Sequence, residues 1–321
     1  MPPPPTAVVY DDLFKKHDTG PGHPESAARL DAVLDKLRAA DFFGKLELVK
    51  PRAATDEEIH RCHSDRYVEI AKRDILSGAP SLSTGDTAVC RDSLEAALHA
   101  AGGACRAVDL VMEKRAMGGK ATNAFCVMRP PGHHATPVQG MGFCVFNNIA
   151  IAARYAQAKH KVGKVLIADW DVHHGNGTQD IFYEDDSVFF FSTHQSPWYP
   201  GTGKVDETGS GKGRGTTLNR PFPAGSGHKE IVGAFKDELV AVANRFKPDL
   251  VMISAGFDSR LGDPLGDFRL TDEDFVELTA IVLGIAREHS EGRLVSVLEG
   301  GYSLPGLANA AVAHVKRLAQ A

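Results

Sequence analysis

Six short runs along the chain are apolar almost without interruption: residues 7–10, 124–128, 164–168, 188–192, 250–254 and 294–298. They are rich in β-branched and aromatic side chains. Strands covered on both faces of a parallel sheet read this way, because neither face alternates with solvent. Between them, apolar residues return at helical spacing over residues 25–40, 93–117, 148–161, 228–246, 271–289 and 304–318. Thr271-Asp272-Glu273-Asp274 has the form of a helix cap with an acidic first turn. The alternation predicts an α/β fold, a doubly wound sheet with helices on both faces. No repeat or linker divides it, so residues 1–321 read as one domain.

Charge and cysteine usage narrow the class. The net charge is −5 and the pI about 6.3, so no basic field points to direct contact with nucleic acid. Five dispersed cysteines without a CxxC read as reduced thiols of a cytoplasmic protein, with Cys144 a wall residue rather than a nucleophile. No signal-peptide pattern opens the chain, and no apolar run approaches the ~20 residues that span a bilayer. The balance is compatible with a homo-oligomer.

The polar residues that follow the predicted strands carry the chemistry. Asp169-Trp170-Asp171-Val172-His173-His174-Gly175-Asn176 follows one apolar run, and Gly256-Phe257-Asp258 follows another. The carboxyl edge of an open α/β sheet is where such folds hold their ligands. In extended backbone, residues i and i+2 face one side, so Asp171 and His173 can reach one ion. Asp169 falls on that side too, as a further ligand, an orienting partner for an imidazole or a ligand of a second ion. An Asp-x-Asp-x-His run alone could equally be a hydrogen-bonded turn; Asp258 favours the metal. Two carboxylates and one imidazole leave a position for water, as in catalytic sites.

Arg129-Pro130-Pro131-Gly132-His133-His134-Ala135 presents two adjacent histidines on a stiff turn, which suits an acid/base pair. Asp169 and Asn176 are candidates to orient their rings. Tyr302, after Glu299-Gly300-Gly301, could turn its hydroxyl toward a developing oxyanion; standing alone, the motif would read as a tyrosine packed under a loop. Aromatics on the glycine-rich loops 140–144 and 196–203 could form a slot for an aliphatic chain.

Taken together, these motifs resemble the zinc-dependent histone deacetylase family, including its bacterial amidohydrolase and acetylpolyamine amidohydrolase members. The residues that carry the resemblance run through almost the whole chain: HPESAARL from His23, RPPGHHA from Arg129, GFCVFNN from Gly142, DWDVHHGNGTQDIF from Asp169, PGTG from Pro200, AGFDSRLGDPLG from Ala255 and EGGY from Glu299. The wording around Asn176 is closest to the class II branch. The resemblance implies an arginase/deacetylase-like fold with a central eight-stranded parallel sheet. It implies one Zn²⁺ on Asp171, His173 and Asp258. It also implies a structural K⁺ surrounded by Asp169, Asp171, His173, Ser192 and Thr193, and a second monovalent site near Phe182, Asp185 and Val188. Gly142, Phe143 and Tyr199 match the walls of an acyl-lysine tunnel, and Asp86 its rim.

The expected reaction is removal of acetyl or other short acyl groups from lysine side chains. A metal-activated water attacks, assisted by His133 and His134, and Tyr302 stabilises the oxyanion. Asp169 should favour a charged His133. Asn176 should leave His134 readier to exchange protons, although which ring is the base stays open. An acetylpolyamine deacetylase using the same site is the alternative, with Asp11, Asp12 and Asp18 as candidate entrance charges. A dinuclear ureohydrolase would need further ligands for a second ion. A non-catalytic acyl-lysine binder would be expected to lack a ligand or the tyrosine.

Overall fold

The computed structural model describes residues 6–113 and 122–321. Eight strands, β1 Thr6–Val9, β2 Leu46–Val49, β3 Asn123–Cys126, β4 Val165–Asp169, β5 Val188–Gln195, β6 Thr217–Phe222, β7 Leu250–Ala255 and β8 Leu294–Leu298, form one sheet. Its order is β2-β1-β3-β8-β7-β4-β5-β6, and every pair is parallel. All six apolar runs are strands, and β1, β3, β4, β5, β7 and β8 are buried throughout.

The sequence reading misses β2 and β6, and the reason is their place at the two edges. β2 is half-exposed along its length. β6 reads Thr-Leu-Asn-Arg-Pro-Phe, with a proline that a sheet accepts at an edge. Pairing with β6 continues through Gln195 and Phe222, so β5 runs three residues beyond its apolar core.

The helices are α1 Ala28–Arg38, α2 Asp56–His60, α3 Asp65–Ser77, α4 Ser93–Met112, α5 Asn148–His160, α6 Asn176–Phe182, α7 His228–Ala234, α8 Val240–Phe246, α9 Asp272–His289 and α10 Leu304–Leu318. A π turn, Phe235–Leu239, joins α7 to α8. One layer packs α1, α10 and α9 together; another packs α4 on α5. Thr271 caps α9 and closes a capping box with Asp274, as its sequence predicts. The last residues predicted for the α4 segment, 114–117, lie outside the described residues. Helices α2, α3 and α6 are additional to the expectation. α3 carries readable boundaries, a Ser64 cap and Gly78 at φ 81°. Among the described residues, no helix is long and apolar enough to cross a membrane.

A charged cluster ties the amino-terminal segment to the loops at the carboxyl edge of the sheet. Glu25, Arg29 and Arg129 are each 0% exposed. Arg129 donates to both Glu25 oxygens, with Nη2 2.8 Å from Oε2, and to the His17 carbonyl at 3.0 Å. Arg29 donates to Glu25 Oε1 at 2.9 Å and reaches the carbonyls of Glu299 and Gly301 at 2.5 and 2.7 Å. Removing one member of such a buried group strands the opposite charge.

Glu25→Gln should therefore cost roughly 3–5 kcal/mol of stability near neutral pH, read from urea unfolding. Burial raises the Glu25 carboxyl, but Arg129 and then Arg29 outweigh it and hold it at about 2, below its ordinary 4.5. A depressed carboxyl stabilises above its unfolded value and stops doing so as pH falls through its folded value. The gap between wild type and Glu25→Gln should stay flat from pH 5 to 8 and narrow between pH 4.5 and 2.

Candidate metal centre and active site

Five contiguous strands, β3, β8, β7, β4 and β5, end at one edge and deliver the polar motifs there. Asp169 is the last residue of β4 and pairs in register with Ser192 of β5 and Ser254 of β7. Two residues on, Asp171 meets Asp258 from the loop after β7. Asp171, His173 and Asp258 are buried, with ligand atoms all within 4.8 Å of one another. His173 Nδ1 lies 3.0 Å from Asp171 Oδ1 and 3.2 Å from Asp258 Oδ2.

Backbone donors satisfy three of the four carboxylate oxygens. His173 and Gly300 donate to Asp171 Oδ1 and Oδ2 at 2.9 and 2.8 Å. Val172 donates to Asp258 Oδ1 at 2.9 Å. Asp258 Oδ2 is buried without a hydrogen-bond partner. A methyl group at Gly256 would strike Asp171 Oδ2, and one at Gly300 would strike Asp258 Oδ2. The glycines let backbone close around the two carboxylates, and the orphaned oxygen faces the imidazole. Burial and then the Asp171 charge push the Asp258 carboxyl up to about 7. This donor set fits a divalent cation, which would supply the missing charge.

The histidine pair sits beside the trio, ring centroids 4.0 Å apart. His133 Nδ1 is 3.0 Å from Asp169 Oδ2, and His134 Nδ1 is 2.8 Å from Asn176 Oδ1. Both accepting atoms fix the tautomer, so each Nδ1 carries the proton. Burial opposes charge on His133, but Asp171 and Asp169 prevail and raise it to about 10. Burial, then His133 and His173, drive His134 well below its usual range. The pair is electrostatically asymmetric, with His134 held further from charge than the near-neutral exchange expected of it.

A pocket of about 240 Å³ opens above the trio, lined by Asp86, His134, Gly142, Phe143, His173, Trp198, Tyr199, Leu265 and Tyr302. Gly142 (φ 56°) and Phe143 (φ 68°) both take left-handed backbone. At Gly142 a methyl would strike the His134 ring. For a bulky residue like Phe143 that conformation is strained, and it turns the ring edge-on to Tyr302 at 6.0 Å. Tyr199 stands edge-on to His134 at 5.2 Å. Its hydroxyl donates to Asp86 Oδ2 at 3.1 Å, while Gly142 N–H donates to Asp86 Oδ1 at 2.7 Å. The carboxylate at the rim is thus already braced on both oxygens by the chain itself. The Tyr302 ring lies against the Arg29 guanidinium, 5.0 Å from its centroid, and its backbone N–H is held by Asp263 Oδ2 at 2.7 Å.

Ser192 and Thr193 lie on β5 beside Asp169, buried, and Thr193 Oγ1 has no partner. Asp185 donates its N–H to the Phe182 carbonyl at 3.0 Å and pairs with Arg154. Two supporting groups are not singled out by sequence. Glu299, 0% exposed, accepts the N–H groups of Gly132 and His133 on one oxygen at 2.7 and 3.1 Å. His174 bonds Thr202 and Gln179, and Gln179 bonds Glu207, which caps Gly203 N–H. That second network ties the Trp198–Tyr199 loop to the residue after the ligand His173. The doubled histidine in Asp-Val-His-His is its only sequence signal.

Fold and site define the arginase/deacetylase architecture. The chain matches the histone deacetylase domain over residues 23–318 and belongs to that family of deacetylases and amidohydrolases. It is 41% identical over 303 residues to a probable deacetylase of Archaeoglobus fulgidus, covering 94% of this chain and 82% of that one. It is 38% identical over 319 residues to a histone deacetylase-like amidohydrolase of Pseudomonas aeruginosa, covering 93% and 82%. The crystal structure of the HDA15 HD domain matches at a TM-score of 0.92 and 36% identity, covering 99% of this chain and 90% of that one.

Removal of a ligand should act on metal affinity more severely than the 10–100-fold typical of outer-shell changes. Asp258→Ala, dialysed against trace divalent metal, should retain less than about one-tenth of the wild-type metal by elemental analysis. An unchanged metal content would remove Asp258 from the ligand set.

Proposed function

We propose that the protein is a zinc-dependent amidohydrolase that removes acetyl or other short acyl groups from lysine side chains. The observation that carries this reading is the convergence of His134, Tyr302 and His173, the imidazole of the Asp171–His173–Asp258 trio, on one apolar slot. When bound to the trio, Zn²⁺ supplies Lewis-acid polarisation of the acyl carbonyl and lowers the pKa of a water. The oxygen-rich ligand set also suits Fe²⁺.

The remaining steps belong to the chain. Phe143 and Tyr199 form the slot that takes the methylenes of the acyl-lysine. His134 is the general base: its Nδ1–H is committed to Asn176, burial beside His133 keeps it neutral, and Nε2 is left to accept the water proton. His133, charged against Asp169, stabilises the negative charge that develops. Tyr302 donates its hydroxyl proton in a hydrogen bond to the oxyanion; burial holds that proton on, raising the phenol well above its usual range even against Arg29. His134 then returns its proton to the departing amine. A K⁺ among Asp169, Asp171, His173, Ser192 and Thr193 would stiffen the edge beneath the trio, with Ser192 in register beside Asp169.

The slot bears on the choice between an acyl-lysine and an acetylated polyamine. A free polyamine carries further ammonium groups that need carboxylates at the mouth. Asp86 is the single carboxylate among the lining residues. Asp11 caps a turn, Asp12 pairs with Lys15 and Asp18 accepts the Gly20 N–H. Trp198 and Leu265 instead offer an apolar rim, which favours the acyl-lysine of a peptide or protein.

Tyr302→Phe and His134→Ala should each lower kcat on an acetyl-lysine peptide about 100- to 1,000-fold with metal retained. Chelation should abolish turnover and added zinc restore it. kcat/KM should be higher for the peptide than for acetylspermidine. Full activity of His134→Ala would refute its assignment as base.

A further inference from the structure

Glu299 is a carboxylate at zero exposure with no cationic side chain bonded to its oxygens. Glutamate is rarely buried to that degree unless paired. Its Oε2 accepts two successive backbone N–H groups, from Gly132 at 2.7 Å and His133 at 3.1 Å. Oε1 lies 3.4 Å from Ser254 Oγ, on the strand between β8 and β4. The same residue continues directly into Gly300, whose N–H holds Asp171, and into Tyr302. Its own carbonyl accepts from Arg29 at 2.5 Å. One side chain therefore spans from the loop of the oxyanion donor to the loop of the histidine pair.

We propose that Glu299 is a positioning residue that locks the backbone under His133 and His134 to the strand that presents Tyr302, and so sets the distance between proton-transfer and oxyanion groups. The inference rests on the acyl-lysine hydrolase reading of the site. It acts through hydrogen-bond acceptance, because both donors are neutral peptide groups and a single oxygen takes both. Without that oxygen two buried N–H groups lose their partner, and the Pro-Pro-Gly-His-His turn loses its direct tie to the Tyr302 loop. An ångström of displacement at such a pair is enough to cost about 100-fold in rate.

The test uses three variants of the full chain, each loaded with zinc and assayed on an acetyl-lysine peptide. Glu299→Ala should lower kcat roughly 10- to 100-fold with KM within about twofold and metal content equal to wild type. Glu299→Gln keeps an amide oxygen in the same place and should recover at least about half of the wild-type kcat. Glu299→Asp, which withdraws the oxygen by one methylene, should behave like Glu299→Ala and replaces it if that variant does not fold. A residue that only holds the fold together would lower the unfolding midpoint and leave kcat per folded molecule unchanged; that result overturns the proposal. So does loss of activity in a folded, zinc-loaded Glu299→Gln equal to that of Glu299→Ala. An inactive wild type would instead remove the hydrolase reading itself.

Discussion

Two carboxylates held side by side out of water govern the catalytic edge. Asp171 and Asp258 arrive from loops after neighbouring strands, and glycines at 256 and 300 let the backbone close over them. Burying like charges together is unfavourable unless an opposite charge and hydrogen bonds offset it. Backbone N–H groups serve three oxygens, and the fourth, Asp258 Oδ2, is left facing His173. Without a metal the imidazole has to serve as the cation: burial disfavours its charge, yet Asp171 and Asp258 raise it to about 10. A divalent ion held by the trio would take over that role and free the ring to be a ligand. Stability of the edge and competence for the proposed chemistry would then depend on the same positive charge.

The next layer of charge explains why the amino-terminal segment matters to a site built two hundred residues later. Glu25 anchors Arg129 at the start of the histidine turn, and Glu299 holds the same turn at Gly132 and His133. Arg29 grips the carbonyls on either side of Gly300 and lies under the Tyr302 ring. The loops that would move protons are therefore fixed at several points by buried, directional bonds rather than by packing alone. Preorganisation of this kind is what a site needs when its dipoles must be in place before charge develops.

How much of this was legible in the chain depends on burial. The six central strands are apolar runs because both sheet faces are covered, and each lies where its run predicts. β2 and β6 lack such runs because edges tolerate polar residues and a proline at 221. The trio, the histidine pair and Tyr302 stand out because metal-binding and titratable side chains directly after a buried strand have few other reasons to be there. The fold brings these residues to one sheet edge. The Asp86–Tyr199 bond is invisible in sequence, since its partners lie 113 residues apart with no shared period. Glu299 is hidden for another reason: its targets are backbone N–H groups, which leave no side-chain signature, so the residue reads as the start of a glycine turn. Helix α3 is different again; its Ser64 and Gly78 caps were readable.

The two adjacent histidines show how the fold separates groups that sequence makes equivalent. They share a turn and a degree of burial, but His133 has Asp169 at Nδ1 and Asp171 3.8 Å from Nε2, whereas His134 has the Asn176 amide at Nδ1. A carboxylate favours the imidazolium, whereas an amide oxygen orients the ring without supplying charge. With rings 4.0 Å apart, a second charged ring would also repel the first. The neutral amide at 176 therefore orients His134 while burial and the two neighbouring imidazoles keep it uncharged, which is what the proposed reaction asks of its base.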